Sequence, residues 1–209
     1  MDKKDEVLIG EITKGTIKII LLGESGVGKS CLITVYGGKP FPEVSVCNVQ
    51  SSFISKVLTI NNNNYDIQIW DTAGQERYRS VNKIYIKDSH IVIFVYDITN
   101  RKSFLELKFW TNYVEELLGK NVIIGIAANK IDLFESDKEN VSKKEGQEFA
   151  EEKKAIFKQT SAKKDSIGFS NFVNELITKF LTKNPDFKTD ILSLSTENSN
   201  KKKKRRCCY

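Results

Sequence analysis

What the 209-residue chain lacks narrows it first. Its longest apolar run near the middle, Ile91 to Tyr96, is far shorter than the roughly 20 residues a helix needs to span a bilayer. The segment from Met1 to Gly15 is charged and holds no apolar stretch of signal-peptide length, so the chain is expected to be made and kept in the cytosol. Four cysteines, two of them adjacent at the C-terminal end, do not make a disulfide framework, and Cys31 and Cys47 read as free thiols. There is no internal repeat. Nor does the body carry excess charge: Lys201, Lys202, Lys203, Lys204, Arg205 and Arg206 account for the whole net charge of +6. Blocks of that kind act as interaction tails. By itself this one reads as a solvating tail, a membrane-directed tail, or a nucleic-acid or nuclear-import patch.

What is present centres on Gly23, Glu24, Ser25, Gly26, Val27, Gly28, Lys29 and Ser30, spelling G-x-x-x-x-G-K-S. An apolar run, Ile17 to Leu22, precedes it and a helix-compatible run, Cys31 to Tyr36, follows. Glycines let the backbone curl so that successive N–H groups point inward, and the helix adds the positive end of its dipole. The result is a pocket for a phosphate chain. Lys29 can reach the terminal phosphates and Ser30 can offer its hydroxyl to Mg²⁺.

In chain order, strand and helix patterns alternate. Thr16–Leu22 predicts a buried strand and Lys29–Tyr36 a helix stopped by Gly37 and Gly38. Lys39–Ser52 has no period and reads as a loop. Phe53–Ile60 and Tyr65–Trp70 predict an antiparallel hairpin across the polar turn Asn61–Asn64. Residues 74–86 read as a loop that reorders. Ile91–Tyr96 and Val122–Ala127 predict fully buried strands, and Ala155–Gln159 a short last one. Helices are expected over Ser103–Leu118 (Phe104, Leu107, Trp110 or Thr111, Val114 and Leu118 at helical spacing), from Ser142 with Glu145 completing a capping box, and over Ser170–Leu181. Strands separated by helices imply an α/β fold of three layers: a six-stranded, mostly parallel sheet with one antiparallel edge strand and helices on both faces. The expected organisation is an extension over 1–15, one domain over 16–182 and a flexible tail over 183–209.

Ligands of such sheets bind beyond the carboxyl ends of the strands, and the polar motifs fall there. Asp71, Thr72, Ala73, Gly74 and Gln75 follow the strand ending at Trp70. Asp71 is placed to hold Mg²⁺, Gly74 lets backbone approach a terminal phosphate, and Gln75 can orient an attacking water. Asn129, Lys130, Ile131 and Asp132 follow another strand, and Ser161, Ala162 and Lys163 the last.

The set GESGVGKS, DTAGQE, NKID and SAK resembles a small GTPase of the Ras superfamily. WDTAGQERYRS, VYDITN at Val95–Asn100 and SFLELKFW at Ser103–Trp110 resemble the Rab family in particular. The P-loop NTPase fold is therefore expected over roughly 16–182. The resemblance implies that Gly23, Ser25, Gly26, Val27, Gly28, Lys29, Ser30 and Cys31 cradle the phosphates of GTP or GDP, with Gly74 near the γ-phosphate. Asp132 resembles the carboxylate that pairs with the N1–H and 2-amino group of guanine. Asn129 resembles the residue that fixes the base and ties the loops together. Lys130 would lie along base and sugar, Ala162 would offer its N–H to the guanine carbonyl, and Ser161 and Lys163 flank it. Phe41 stands where an aromatic packs edge-on to the base, although it also reads as an ordinary loop hydrophobe. Ser30 would ligate Mg²⁺ directly and Asp71 through water. The implied activity is slow, Mg²⁺-dependent hydrolysis of GTP, with Lys29 and Gln75 as catalytic residues and a partner's arginine finger as accelerator. Arg77 and Arg79 read as solvated residues. The implied partners are an exchange factor, a GTPase-activating protein, a GDP-dissociation inhibitor or escort protein, and effectors; a monomer that binds no nucleic acid is expected.

The chain departs from this pattern where a switch should be. The position of the threonine that completes the Mg²⁺ shell is Asn48; Gln50 replaces a glycine and Ser45 a tyrosine. Ile86 and Asp88 interrupt a Tyr-Tyr-Arg-Gly pattern around Tyr85 and Lys87. Asn48 keeps a carbonyl oxygen that can serve as a metal ligand, and three functions stay open: a GTP/GDP switch of vesicle traffic, a non-cycling guanine-nucleotide module favoured by Asn48, and a nucleic-acid-binding phosphate-loop protein favoured only by the basic tail. At the end of the chain Cys207 and Cys208 do not form a C-a-a-X box. They resemble the paired cysteines that Rab proteins carry geranylgeranylated. Two lipid chains plus a basic stretch suffice for stable anchoring on the cytosolic face of a membrane.

Overall fold

In the computed structural model, the described residues are 14–42, 53–72, 79–119, 121–134 and 141–187. Their elements are β1 (Gly15–Leu22), α1 (Lys29–Tyr36), β2 (Phe53–Ile60), β3 (Asn63–Asp71), α2 (Arg79–Ile86), β4 (Ile91–Asp97), α3 (Arg101–Leu105), α4 (Leu107–Leu118), β5 (Ile123–Asn129), a 3₁₀ turn (Ile131–Leu133), α5 (Lys143–Glu152), β6 (Ile156–Gln159) and α6 (Ser166–Lys183). The strands form one six-stranded sheet in the order β2-β3-β1-β4-β5-β6. Every pair is parallel except β2 with β3, where Phe53 faces Trp70 and Ile60 faces Asn63. The α/β architecture expected from the sequence is thus the one observed.

Alternation along the strands makes the two cores. Ile17, Ile19 and Leu21 of β1 point to the face covered by α1 and α6, where Leu32, Phe169, Phe172 and Leu176 join them. Ile20 and Leu22 point the other way, toward Phe94, Tyr96, Leu107, Trp110 and Val114 under α4 and α5. β4 lies between both cores, which is why all seven of its residues are buried and it reads as a continuous apolar run. Gly125 of β5 has a packing role: a Cβ there would stand 2.7 Å from Leu176 Cδ1 and 2.8 Å from Phe172 Cζ, so its absence lets α6 lie close on the sheet.

Several elements differ from expectation. The helix expected over Ser103–Leu118 starts at Arg101, capped by Asn100, and is interrupted at Glu106. Ser103 is fully buried, its hydroxyl donating to the Asn100 carbonyl at 2.7 Å and accepting the Asp97 amide at 3.0 Å, which fixes the first turn to the end of β4. Residues 79–86, read as loop, are helix α2, anchored by the fully buried Ile86 while Ile84 faces solvent. α6 begins at Ser166 rather than Ser170, because the Asp165 carboxylate accepts the Gly168 amide at 2.7 Å as an N-cap. The capping box at Ser142 and Glu145 is present as read. Asp88 adopts φ 60°, the left-handed conformation that a glycine would supply, and Asp is among the few residues that tolerate it. Packing also continues past α6: Phe187 meets Phe180 and His90 with ring centroids 4.9 and 5.1 Å apart.

Candidate nucleotide-binding site

The polar motifs converge at the carboxyl ends of β1, β3, β4 and β5 and in the turn after β6. Gly23 and Gly28 open the phosphate loop and the helix. Gly23 has φ 149°, and a Cβ on it would lie 2.1 Å from the Val95 carbonyl oxygen, so the loop rests on the backbone of β4. Gly28 has φ 98°, and a Cβ there would stand 2.5 Å from Asn129 Nδ2. It begins α1 with no side-chain cap, and no acidic residue sits in the first turn. The positive end of that helix dipole is therefore turned toward the loop with no carboxylate of its own first turn to offset it.

Lys29 is 4% exposed and turns back over its own loop, donating to the carbonyls of Gly23 at 2.8 Å and Glu24 at 2.9 Å. A buried ammonium needs such partners. Val27 is buried and Ser25 and Gly26 lie on the rim. Ser30 and Cys31 are half-buried in the first turn of α1. Burial pushes the Cys31 thiol up; Lys130 opposes this and Asp71 adds to it, so the phosphate loop, the end of β3 and the residue after β5 share one electrostatic environment. Asp71 is the last residue of β3 rather than the first of a loop, and is 2% exposed. Beside it the Thr72 hydroxyl donates to the Leu21 carbonyl at 2.8 Å, holding the β3 end against β1.

Asn129, at the last position of β5, is the cross-tie. Its Nδ2 donates to the Val27 carbonyl at 2.8 Å, and its Oδ1 accepts the Thr160 hydroxyl at 3.1 Å. It thereby joins the phosphate loop to the β5 and β6 ends. Lys130 takes φ 66° and pairs through Nζ with Asp97 Oδ2 at 2.7 Å. Asp132, in the 3₁₀ turn, accepts a hydrogen bond from the Ser161 hydroxyl, which itself accepts the Lys164 amide at 3.0 Å. Ala162 is buried and Lys163 exposed. Phe41 is half-buried against the core under α1.

The structure thus gathers Gly23 to Cys31, Asp71, Asn129, Lys130, Asp132 and Ser161 to Lys163 at one end of the sheet. Asn48, Gly74 and Gln75, with Ser45, Gln50 and Arg77, lie outside the described residues, as do Cys47, Cys207 and Cys208. Sequence reading missed Asp97, Thr99 and Thr160; an acidic residue ending a fully apolar strand was the available signal. It also missed an aromatic surface beside the site. Phe53, 51% exposed, stacks on Trp70 at 4.8 Å, and Trp70 meets Tyr85 at 6.1 Å.

A glycine cradle beneath an uncapped helix, with a buried lysine across it, suits a polyphosphate. Among the described residues no cluster of three or more His, Cys, Asp or Glu could hold a metal ion unaided. A hydroxyl at Ser30 and a carboxylate at Asp71 instead suit Mg²⁺, which takes few protein oxygens and fills its shell with phosphate and water. Fold and site together define a phosphate-loop nucleotide-binding protein.

Comparison narrows that class. The Ras family model matches residues 18–182. The chain is 39% identical over 168 residues to Ras-related protein Rab-21 of Geodia cydonium, covering 80% of this chain and 72% of that one. It is also 39% identical over 150 residues to Ras-related protein Rab-21 of Homo sapiens, covering 72% of this chain and 66% of that one. The chain belongs to the Ras family and is a Rab-like small GTPase that binds guanine nucleotide.

Proposed function

We propose that this protein is a membrane-attached GTP/GDP switch in vesicle traffic, built as a nucleotide-binding domain over about 16–182 between an N-terminal extension and a prenylated tail. The observation that supports it most is the Asn129 cross-tie, because it makes the phosphate loop and the guanine loop one rigid site. In this reading the Asp132 carboxylate, held by Ser161, takes the N1–H and 2-amino group of guanine. Adenine lacks that amino donor, and a site built for a hydrogen bond discriminates strongly against a base that cannot make it. The Ala162 amide meets the guanine carbonyl, and Phe41 closes the edge of the base.

At the phosphate end, the amides of 23–31 and the Lys29 ammonium offset charge on the β- and γ-phosphates. Ser30 and Asp71 would hold Mg²⁺, the first directly and the second through water, and Asn48 would add its carbonyl oxygen. When bound, Mg²⁺ neutralises charge that develops on the phosphate oxygens. Gln75 orients the attacking water, and an arginine finger from a GTPase-activating protein raises the rate by about 10³–10⁵-fold. The Phe53–Trp70–Tyr85 surface joins the β2–β3 hairpin to α2, the segment adjoining Gly74 and Gln75, so an effector seated there can sense the nucleotide. Exchange factor and GDP-dissociation inhibitor act on the same cycle. Geranylgeranyl groups on Cys207 and Cys208, with the basic block 201–206, hold the monomer on the cytosolic face of a membrane.

The reading is tested by single-turnover GTP hydrolysis with and without Mg²⁺, for the wild type and Asn48→Thr. Slow Mg²⁺-dependent turnover is expected, with tighter Mg²⁺-dependent GTP binding in the variant. A wild type that binds GDP yet turns over no GTP, even with an activating protein, would instead identify a non-cycling module.

A further inference from the structure

Asp97 lies in none of the nucleotide-binding motifs, yet it is built into the site. It is the last residue of β4 and is 7% exposed. Its two carboxylate oxygens have separate partners. Oδ1 accepts the Thr99 amide at 2.9 Å and the Thr99 hydroxyl at 2.7 Å. Oδ2 faces the Lys130 ammonium at 2.7 Å. A carboxylate this buried is costly unless it is both paired and hydrogen-bonded, and here it is both. The backbone around it is fixed too. The Asp97 amide donates to Ser103 Oγ at 3.0 Å, and the Ile98 amide donates to the Asn129 carbonyl at 3.1 Å. The carboxylate is therefore aimed before anything else binds.

Its target, Lys130, is held in an unusual place. With φ 66° it adopts the left-handed conformation that is costly for any residue but glycine. Its side chain runs beside the phosphate loop, Cε lying 3.9 Å from where a Cβ on Gly28 would be. A lysine side chain has several rotatable bonds and loses much rotamer freedom when it is held. Left loose, it would have to be ordered at the moment of binding.

We propose that Asp97 is a positioning residue for the nucleotide: it clamps the Lys130 ammonium so that the lysine stem is laid along base and sugar in advance. The inference rests on the guanine-nucleotide reading of the site. Asp97 acts through Lys130 and not by touching the ligand, and its effect falls on affinity and residence time, because pre-ordering removes part of the entropic cost of association.

The test uses the full chain loaded with fluorescent GDP. Asp97→Asn keeps the shape and an oxygen for Thr99 but drops the charge. It is expected to speed GDP release about tenfold, equivalent to about 1.4 kcal/mol. Lys130→Met is expected to speed release as well, and the double variant no further than the larger single effect, since the two side chains act as one unit. Thr99→Val, which removes one of the bonds that aim the carboxylate, should give roughly a threefold rise, and serves if Asp97→Asn folds poorly. In Asp97→Asn the thermal midpoint of the GDP-free protein should stay near that of the wild type, while the rise conferred by excess GDP shrinks. Equal losses of midpoint with and without GDP, or effects of Asp97→Asn and Lys130→Met that simply add, would reduce Asp97 to a structural residue and overturn the proposal. A wild type that binds no labelled GDP would overturn the reading of the site itself, so the two failures are told apart.

Discussion

The two ends of the sheet are closed by opposite means. At the carboxyl end, buried polar groups are tied to backbone: Asn129 to Val27, Thr72 to Leu21, Lys29 to Gly23 and Glu24. At the amino end, aromatic rings do the closing. His90 stands 5.1 Å from both Phe180 and Phe187, and Phe187 stacks on Tyr65 at 6.5 Å. Polar bonds to β1 orient the ring: the Lys18 amide donates to His90 Nδ1 at 3.0 Å, and the His90 amide donates back to the Lys18 carbonyl at 2.9 Å, a geometry that suits the neutral imidazole. The contrast shows how one fold separates function from stability. A binding end must keep charged and polar groups where a ligand can meet them, and each buried one must be partnered. The far end needs only to exclude water and can do so with rings.

The largest effect is expected where the binding end has no slack. Gly28→Ala places a Cβ 2.5 Å from Asn129 Nδ2 at φ 98°. Backbone strain plus a broken buried hydrogen bond sum to about 3 kcal/mol of folding stability in urea, and with the phosphate loop pushed off Asn129 a clear loss of GDP affinity is expected by titration calorimetry. Unchanged affinity would show that the nucleotide does not use this cradle. Next, Asn129→Ala strands the buried Val27 carbonyl and Thr160 hydroxyl and should lower folding stability by about 2 kcal/mol in urea as well as weakening GDP binding. An effect on binding alone would show that Asn129 does not help hold the folded chain together.

The amino end should behave differently. Phe187→Ala removes three ring contacts and should cost about 1–1.5 kcal/mol of stability with GDP affinity intact. Coupled loss of affinity would blur the distinction between ends. Acid should loosen the same cluster. Burial, with Lys18 adding to it and Asp88 opposing, holds the His90 imidazole below its ordinary pKa of 6.5. The unfolded chain then takes up a proton that the folded chain refuses, so stability falls as pH drops below about 6.5. His90→Phe should flatten that part of a pH series of melting curves. The smallest effect lies on the surface between α3 and α5. There the Arg101 guanidinium, 2.7 Å away, and Ser142 hold the Glu145 carboxyl down at about 2. A depressed carboxylate stabilises above its unfolded value of 4.5, and the gain is lost as pH falls toward 2. The pair is solvent-screened, so Arg101→Ala should shift stability by no more than about 0.5 kcal/mol at neutral pH.

Legibility in the sequence followed the same division. β4 could be read because a strand buried on both faces must be apolar throughout, and α5 because Ser142 and Glu145 cap it by local rules. α2 was hidden because its only deep anchor among residues 83–86 is Ile86, with exposed Ile84 beside it. The start of α6 was hidden because Gly168 weakens a helical pattern, although it lets the Asp165 carboxylate reach its amide. Motif spacing found Asn129, Lys130 and Asp132 but not the side chains that aim them. Asp97 reaches Lys130 and Thr160 reaches Asn129 through contacts that only the fold creates, whereas the Thr99 bonds to Asp97 are local and carry no signal of what the carboxylate faces.

The most direct measurement is the identity of the nucleotide that the full chain retains. Protein purified without added nucleotide, then denatured and resolved by chromatography, should release close to one equivalent of GDP or GTP and no adenine nucleotide. Asp132→Ala should release far less of either. A chain that releases ADP or ATP, or whose guanine content survives Asp132→Ala, would contradict the site described above.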